Sequence, residues 1–211
     1  DPSNLIEGQI WYNTTTQTIK VAPEIAAWAS GGDLGTARYE LGSAGTQTAA
    51  LGFGGNTPTG SPTKTTATEE YGGSSWTAGG ALGTARYAIS GCGTQTAALG
   101  FGGFDTPSPG NLNNTEEYGG SSWTAGGALP VAKRGLGEAG TQTAGLSFGG
   151  LTTTNVDTTE EYDGSSWTGG GALNTARRFI AGGGTQTAAF GAAGYTTASV
   201  ANAEQYDGSS W

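Results

Sequence analysis

The chain has 211 residues, 41 of them glycine, and a formal net charge of −9 with no histidine. Only 12% of the residues are charged, and regularly spaced tryptophans and tyrosines argue against a disordered chain. Binding to nucleic acid or to anionic membranes needs basic patches, and no apolar run approaches the roughly 20 residues of a membrane span. The composition therefore predicts no nucleic-acid partner, no membrane insertion and no imidazole ligand for a metal.

The first 33 residues differ in pattern from the rest of the chain. Residues 9–13 (QIWYN) and 18–21 (TIKV) flank the polar stretch TTTQ, which predicts a β-hairpin. Trp28 is assigned to a further strand after this hairpin. We therefore interpret residues 1–33 as the second, third and fourth strands of an incomplete sheet.

The remainder of the chain is a series of four similar repeats. Each contains the phrase GTQTAALGFGG or a variant of it, followed by a tyrosine and then a tryptophan. Repeats of roughly 40–50 residues that are built from short strands are typical of propeller blades. The repeats occupy residues 34–81, 82–128, 129–172 and 173–211.

Each repeat predicts four strands, as its first copy shows. Residues 37–44 (ARYELGSA) form the first strand, a GTQ turn follows, and residues 48–55 (TAALGFGG) alternate large and small side chains as a strand does. After a variable loop come residues 68–71 (TEEY), a GGSS turn and residues 76–79 (WTAG). A single sheet of this size is marginal alone, and radial stacking against its neighbours buries both faces.

These strands predict an all-β fold, a β-propeller of four-stranded antiparallel blades that forms one domain over residues 1–211. The first strand of each repeat lies nearest the axis, where only small side chains fit. The small residues that recur there are Gly42, Ser90, Gly137 and Ala181.

The repeat resembles the kelch repeat over residues 34–211. That family's blade has an arginine or small residue before the first strand, Gly-Gly after the second, tyrosine in the third and tryptophan in the fourth. The first repeat matches at Arg38, Gly54, Gly55, Tyr71 and Trp76. The resemblance implies structural roles for these positions and for Arg86, Lys133, Arg177, Tyr118, Tyr162, Tyr206, Trp28, Trp123, Trp167 and Trp211.

The strand count predicts five blades, with residues 1–33 as a partial blade that closes the ring. This partial blade lacks its innermost strand, which has to come from another stretch of chain. Because the sequence contains no methionine, we expect it to be a fragment of a longer polypeptide. The expected continuation past Trp211 is a small-residue strand that inserts on the axial side of IWYN.

The ionisable residues suggest no catalytic centre. Adjacent strand residues point to opposite faces, so the acidic pairs at 69–70, 116–117 and 160–161 do not converge on a substrate as glycosidase carboxylates do. One glutamate of each pair is expected to meet the cation of its repeat, and the other to be solvated. Cys92 falls in the small-residue column and is expected to be a buried structural thiol. We expect a protein with no catalytic residue, no cofactor and no metal.

The loops between the second and third strands differ most among the repeats, and divergent loops on a rigid scaffold commonly carry recognition. Merely solvated loops are the alternative. On the opposite face, Gln47, Gln95, Gln142 and Gln186 suggest either a carbohydrate-binding ring or turn-stabilising hydrogen bonds. The candidate binding residues of the loops are Lys64, Phe104, Asp105, Asn111, Asn113, Asn114, Asn155 and Tyr195.

A second resemblance concerns biological setting. The segment GQIWYNTT is similar to segments of tail-fibre and other virion proteins of tailed bacteriophages, and the YGGSSWT repeats look like those of marine phage structural proteins. This implies a virion or extracellular location, with other virion proteins or a host-surface glycan or protein as partner, and leaves a homo-oligomer open. The expected function is a non-enzymatic structural or host-recognition module. The alternatives are a lectin-like or protein-interaction propeller of a secreted bacterial protein and, third, a glycan hydrolase.

Overall fold

A computed structural model of the protein describes residues 10–21, 30–58, 63–106 and 110–211. The regular elements in these ranges are β-strands. The chain divides into two compact units, Asp1–Gly31 and Gly32–Trp211. Across the described ranges we find no helix with the length and apolar character needed to cross a membrane.

The first unit contains the predicted hairpin. Strands β1 (Ile10–Asn13) and β2 (Thr18–Val21) are antiparallel, with Tyr12 opposite Ile19. The side-chain oxygen of Asn13 accepts the backbone N–H groups of Thr15 and Thr16 at 3.0 and 2.9 Å, which holds the turn. The hairpin is confirmed, whereas the expected strand at Trp28 lies outside the described residues.

The second unit is a β-propeller of four blades. The first blade contains β3 (Gly42–Thr46), β4 (Ala49–Phe53), β5 (Asn56–Thr57), β6 (Thr63–Lys64), β7 (Thr68–Tyr71) and β8 (Trp76–Ala78). The second contains β9 (Ser90–Thr94), β10 (Ala97–Phe101), β11 (Phe104–Asp105), β12 (Gly110–Asn111), β13 (Thr115–Tyr118) and β14 (Trp123–Ala125). The third contains β15 (Gly137–Thr141), β16 (Ala144–Phe148), β17 (Thr159–Tyr162) and β18 (Trp167–Gly169), and the fourth contains β19 (Ala181–Thr185), β20 (Ala188–Ala192) and β21 (Ala203–Tyr206).

The blades are antiparallel meanders. The sheet orders are β3-β4-β7-β8, β9-β10-β13-β14, β15-β16-β17-β18 and β19-β20-β21, and the innermost strands of successive blades lie side by side. The predicted fold class is therefore confirmed, but the number of blades is wrong. The structure has four rather than five, because the described part of the N-terminal segment forms a two-stranded sheet in a unit of its own.

The first strand of each blade begins later than the sequence suggested. In the first blade it starts at Gly42 rather than at residue 37, and it continues through the predicted turn to Thr46. Glu40 has a φ of 54°, which interrupts the extended backbone just before the strand. The turn itself consists of Gln47 and Thr48, while the third and fourth strands match the prediction closely.

Successive blades pack through the second strand of one and the tryptophan of the next. The Phe53 and Trp123 rings lie 4.8 Å apart, and the equivalent pairs Phe101–Trp167 and Phe148–Trp211 lie 5.0 and 4.6 Å apart. Phe53, Phe101 and Phe148 are completely buried. Each indole Nε1 also donates to a threonine of the preceding blade, at 2.8–2.9 Å: Trp123 to Thr68, Trp167 to Thr115 and Trp211 to Thr159.

Close approach at this contact explains two glycines of the innermost strands. A Cβ at Gly91 would lie 2.3 Å from the Phe53 ring, and one at Gly182 would lie 2.7 Å from the Phe148 ring. Contacts this short are not tolerated, so a larger residue would push the phenylalanine out of the contact between neighbouring blades. We call this contact the seam. The repeated small residues near the axis therefore serve the packing of neighbouring blades.

Candidate functional site

The repeated cations form buried ion pairs with the first glutamate of each acidic pair. Arg86 lies 2.8 Å from Glu116, and both the arginine and the equivalent Lys133 have no exposed side-chain surface. Burial lowers the pKa of Lys133, although Glu160 opposes that shift. The expected contact between a repeat cation and a glutamate is confirmed, and the full set of pairs is Arg38–Glu69, Arg86–Glu116, Lys133–Glu160 and Arg177–Glu204.

The second glutamate of each pair is not simply solvated, and that expectation is wrong. Glu117 accepts the hydroxyl of Tyr162 at 2.5 Å, and Glu161 accepts that of Tyr206 at 2.6 Å. Burial and this hydrogen bond raise the pKa of both tyrosines to about 12. Glu70 bonds Tyr118 in the same way, so these carboxylates join neighbouring blades.

Three of the four repeated glutamines also join blades, instead of stabilising their own turns. The Nε2 of Gln95 donates to the carbonyls of Ala50 and Tyr71 in the preceding blade, at 3.0 and 2.7 Å. Gln142 and Gln186 make the equivalent pairs of bonds. A carbohydrate-binding role would compete with these bonds, so this face offers no free ring of amides at these three positions.

Cys92 is the buried thiol that the sequence predicted. It is 7% exposed, and its Sγ lies 3.6 Å from the carbonyl oxygen of Thr141. Burial, with a smaller contribution from Glu138, raises the pKa of Cys92 to about 12. A thiol in this state is a poor nucleophile at neutral pH.

The variable loops lie on one face together with the connections that lead into the innermost strands. Isolated β-bridges join the two in every blade: Tyr39 to Asn56, Tyr87 to Phe104, Arg134 to Leu151 and Arg178 to Tyr195. We call this surface the loop face. The opposite surface carries the GTQT turns, and we call it the turn face.

Several predicted binding residues tie neighbouring loops together. Lys64 pairs with Asp105 of the next blade and donates to the carbonyl of Thr106 at 3.0 Å. Asn111 donates to the carbonyls of Leu151 and Thr152, at 3.1 and 2.8 Å. Asn155 makes the equivalent contacts with Tyr195 and Thr196 in the fourth blade.

The other predicted binding residues also contact protein groups. The Arg134 guanidinium lies 3.8 Å from the centre of the Phe104 ring, and that of Arg178 lies 4.6 Å from the Tyr195 ring. Asn113 donates to the carbonyl of Leu129 at 3.2 Å, and the Asn114 carbonyl accepts the N–H of Gly102. The structure thus brings the candidates to one face, where they hold the loops in place.

A feature that sequence reasoning missed lies at the centre of the loop face. Glu40, Ala88, Gly135 and Phe179 lie two residues before the innermost strands, and all four have φ between 49° and 59°. Their backbones are linked, because Ala88 donates to Glu40, Gly135 to Ala88 and Phe179 to Gly135 at 2.8–3.2 Å. We call these four residues the axial mouth. Of these four, only Gly135 is of a residue type that commonly adopts a positive φ and could have indicated this conformation from the sequence.

The axial mouth opens on a cavity of about 180 Å³. Aliphatic side chains make most of its wall, and Phe179, 52% exposed, stands at its rim. Glu40 and Glu138 supply two carboxylates. The aliphatic wall residues are Leu41, Ile89, Leu136 and Ile180.

Glu138 departs from the repeat. The innermost strands of the other blades have Ser43, Gly91 and Gly182 at this position. Burial raises the pKa of Glu138 to about 7, although the nearby Ser90 hydroxyl opposes the shift. A single carboxylate is thus placed beside the axis, where three blades have no ionisable group.

Across the described ranges, no three acidic, cysteine or histidine side chains cluster as metal ligands would. No protein family and no curated protein matches the sequence. The geometry defines the class, a β-propeller of antiparallel blades whose polar repeat residues hold the blades together.

Proposed function

We propose that the chain is a non-enzymatic binding module of a phage particle, with a structural or host-recognition role, which engages its partner through the loop face. The partner is another virion protein or a glycan or protein of the host surface, in a virion or extracellular setting. The support comes from the axial mouth, from the use of the repeated charges, and from two resemblances of the sequence.

Phe179 is the observation that carries the proposal. A bulky residue at a φ of 54° is a backbone outlier, and such a conformation costs about 1–3 kcal/mol. Its ring is nevertheless 52% exposed, so burial of the ring contributes little in return. Strained residues cluster at ligand-binding positions, and exposed aromatic rings are the usual anchors of protein interfaces.

The repeated charged residues support a role other than catalysis. Each repeat cation pairs with a glutamate of its own blade, and three of the second glutamates accept a tyrosine hydroxyl from the next blade. A catalytic pair would need two carboxylates directed at one substrate. At these repeated positions the carboxylates instead pair with, or accept hydrogen bonds from, other side chains of the protein.

The phage setting is supported by resemblance alone. The kelch-like pattern of residues 34–211 supports a propeller used for recognition, and the GQIWYNTT segment supports a virion origin. A lectin-like or protein-interaction propeller of a secreted bacterial protein is the second candidate. The exposed rings of Tyr39 and Phe179 favour it, because aromatic faces also stack on sugar rings.

The test is to replace Phe179 with alanine, which keeps the strained backbone and removes the ring. Retention of the labelled protein on bacterial cells and on a glycan array should fall at least tenfold, with the unfolding midpoint nearly unchanged. The matched control is Thr185→Ala, since Thr185 is exposed on the turn face. Unchanged retention for Phe179→Ala, or a loss confined to Thr185→Ala, would show that the loop face is not the binding surface.

A further inference from the structure

Glu138 has no counter-ion among the described side chains. The chain has eight lysines and arginines, and the structure describes the side chains of seven; among these, the four repeat cations are paired with their own glutamates. Lys64 pairs with Asp105, while Arg134 and Arg178 lie over aromatic rings and bond to asparagines. A carboxylate in a desolvated place is costly unless a charge partner offsets it.

The cavity beside Glu138 has a distinct chemistry. Its volume of about 180 Å³ suits a single side chain, and its wall is aliphatic apart from Phe179, Ser90, backbone groups and the two carboxylates. A sugar ring there would leave hydroxyl groups without partners against the aliphatic wall. A metal ion would require several oxygen ligands that the described residues do not bring together.

A lysine side chain meets both requirements of the cavity. Its four-carbon stem packs on apolar surface while its ammonium group forms a charge-assisted hydrogen bond with a carboxylate. The net charge of −9 would also favour the approach of a basic partner.

We infer that the axial cavity is a binding site for a lysine side chain of a partner protein, with Glu138 as the carboxylate that receives the ammonium group. The stem lies against Leu136 and Ile180, and Phe179 and Glu40 flank the opening. This inference rests on the proposal that the loop face binds a partner, and it names the chemistry that the partner presents.

The experiment uses Nα-acetyl-lysine methylamide as probe and measures its binding to the full chain by NMR titration. The matched probe Nα-acetyl-norleucine methylamide has the same apolar stem without the charge. We expect the lysine probe to perturb signals of the axial mouth and to bind at least tenfold more tightly than the norleucine probe. This comparison needs no variant, so it stands even if a substitution disturbs folding.

The matched variants are Glu138→Gln, which removes the charge inside the cavity, and Asp157→Asn, which removes the charge of an exposed side chain outside the cavity. Glu138→Gln should weaken binding of the lysine probe at least tenfold, and Asp157→Asn less than threefold. Equal binding of the two probes, or full binding to Glu138→Gln, would overturn the inference. If the probe fails while Phe179→Ala still lowers retention on cells, the lysine site is wrong and the proposed function stands.

Discussion

The first three strands of the third and fourth blades pair in the same order, but the two blades differ in the surface that faces away from the preceding blade. On the third blade this surface presents Leu146, Phe148, Thr159 and Glu161. Leu146 and Phe148 form one cluster with residues of the fourth blade that include Tyr206, while Trp211 and Tyr206 hydrogen-bond to Thr159 and Glu161. Leu146 and Phe148 are completely buried as a result.

On the fourth blade the equivalent residues are Phe190, Ala192, Ala203 and Gln205. Phe190 is 49% exposed, and a cavity of about 280 Å³ lies against it, Gln205 and Tyr206. The threonine hydroxyl and the carboxylate that accept bonds at the other seams are both absent here. Pairing of the first three strands of a blade therefore does not require the seam residues, which act between blades.

The largest difference between the two surfaces should appear on removing an aromatic ring. Phe148→Ala opens a cavity in a sealed seam and should lower the free energy of unfolding by about 3–5 kcal/mol. Phe190→Ala should cost less than about 1 kcal/mol, because that ring is half-exposed. Urea titrations of both variants measure this, and equal losses would show that the seam does not depend on the ring.

The ion pairs allow a second comparison, between a buried pair inside a blade and a pair between two loops. Glu116→Gln leaves Arg86 buried without a counter-charge and should cost about 3–5 kcal/mol. Asp105→Asn breaks the loop pair with Lys64, which keeps contact with water, and should cost less than about 1 kcal/mol. Thermal unfolding of the two variants provides the comparison, and a larger loss for Asp105→Asn would contradict it.

The pH dependence of stability should report on Glu138. Its folded-state pKa of about 7 lies above the ordinary value of 4.5, so folding favours the protonated form. The contribution is fully present below pH 4.5 and is lost as the pH rises through 7, a change of about 1–3 kcal/mol after allowance for partial exposure. Unfolding of the wild type between pH 5 and 8 should show this loss relative to Glu138→Gln, and parallel curves would contradict it.

The smallest effect concerns the indole hydrogen bond at the seam. Thr159→Val removes the acceptor of Trp211 Nε1 and should cost about 1–3 kcal/mol, because the indole N–H is left without its partner. Ala203→Thr restores the repeat residue on the open surface and should change stability by less than about 0.5 kcal/mol. Chemical denaturation of Thr159→Val and Ala203→Thr measures both free energies of unfolding. It tests whether the threonine stabilises the protein only where a tryptophan donates to it.

The sequence predicted well the strands and contacts that recur in every repeat. The strands at Thr68–Tyr71 and Trp76–Ala78 and the pairing of Arg86 with a glutamate follow from residues that recur in the same slot of each repeat. Bonds such as Tyr162 to Glu117 were missed, because the partners lie in different blades and the spacing gives no sign of which blades touch.

The axial mouth could not be predicted for a different reason. Glu40 and Phe179 are residue types that rarely adopt positive φ, so their backbone is set by tertiary packing rather than by local preference. The prediction of five blades was wrong because it assigned residues 1–33 to a blade from the number of strands alone. This segment lacks the repeat pattern that identifies the other blades.

The most direct test of the account is the free energy of unfolding of Phe179→Gly, measured by urea denaturation. Our central claim is that the ring of Phe179, which stands at a left-handed position that recurs in all four blades, serves binding rather than folding. Glycine adopts that conformation without strain, so the variant should be as stable as the wild type or more stable by about 1 kcal/mol. A loss of about 2 kcal/mol or more would show that the ring is a packing residue, and would contradict the account.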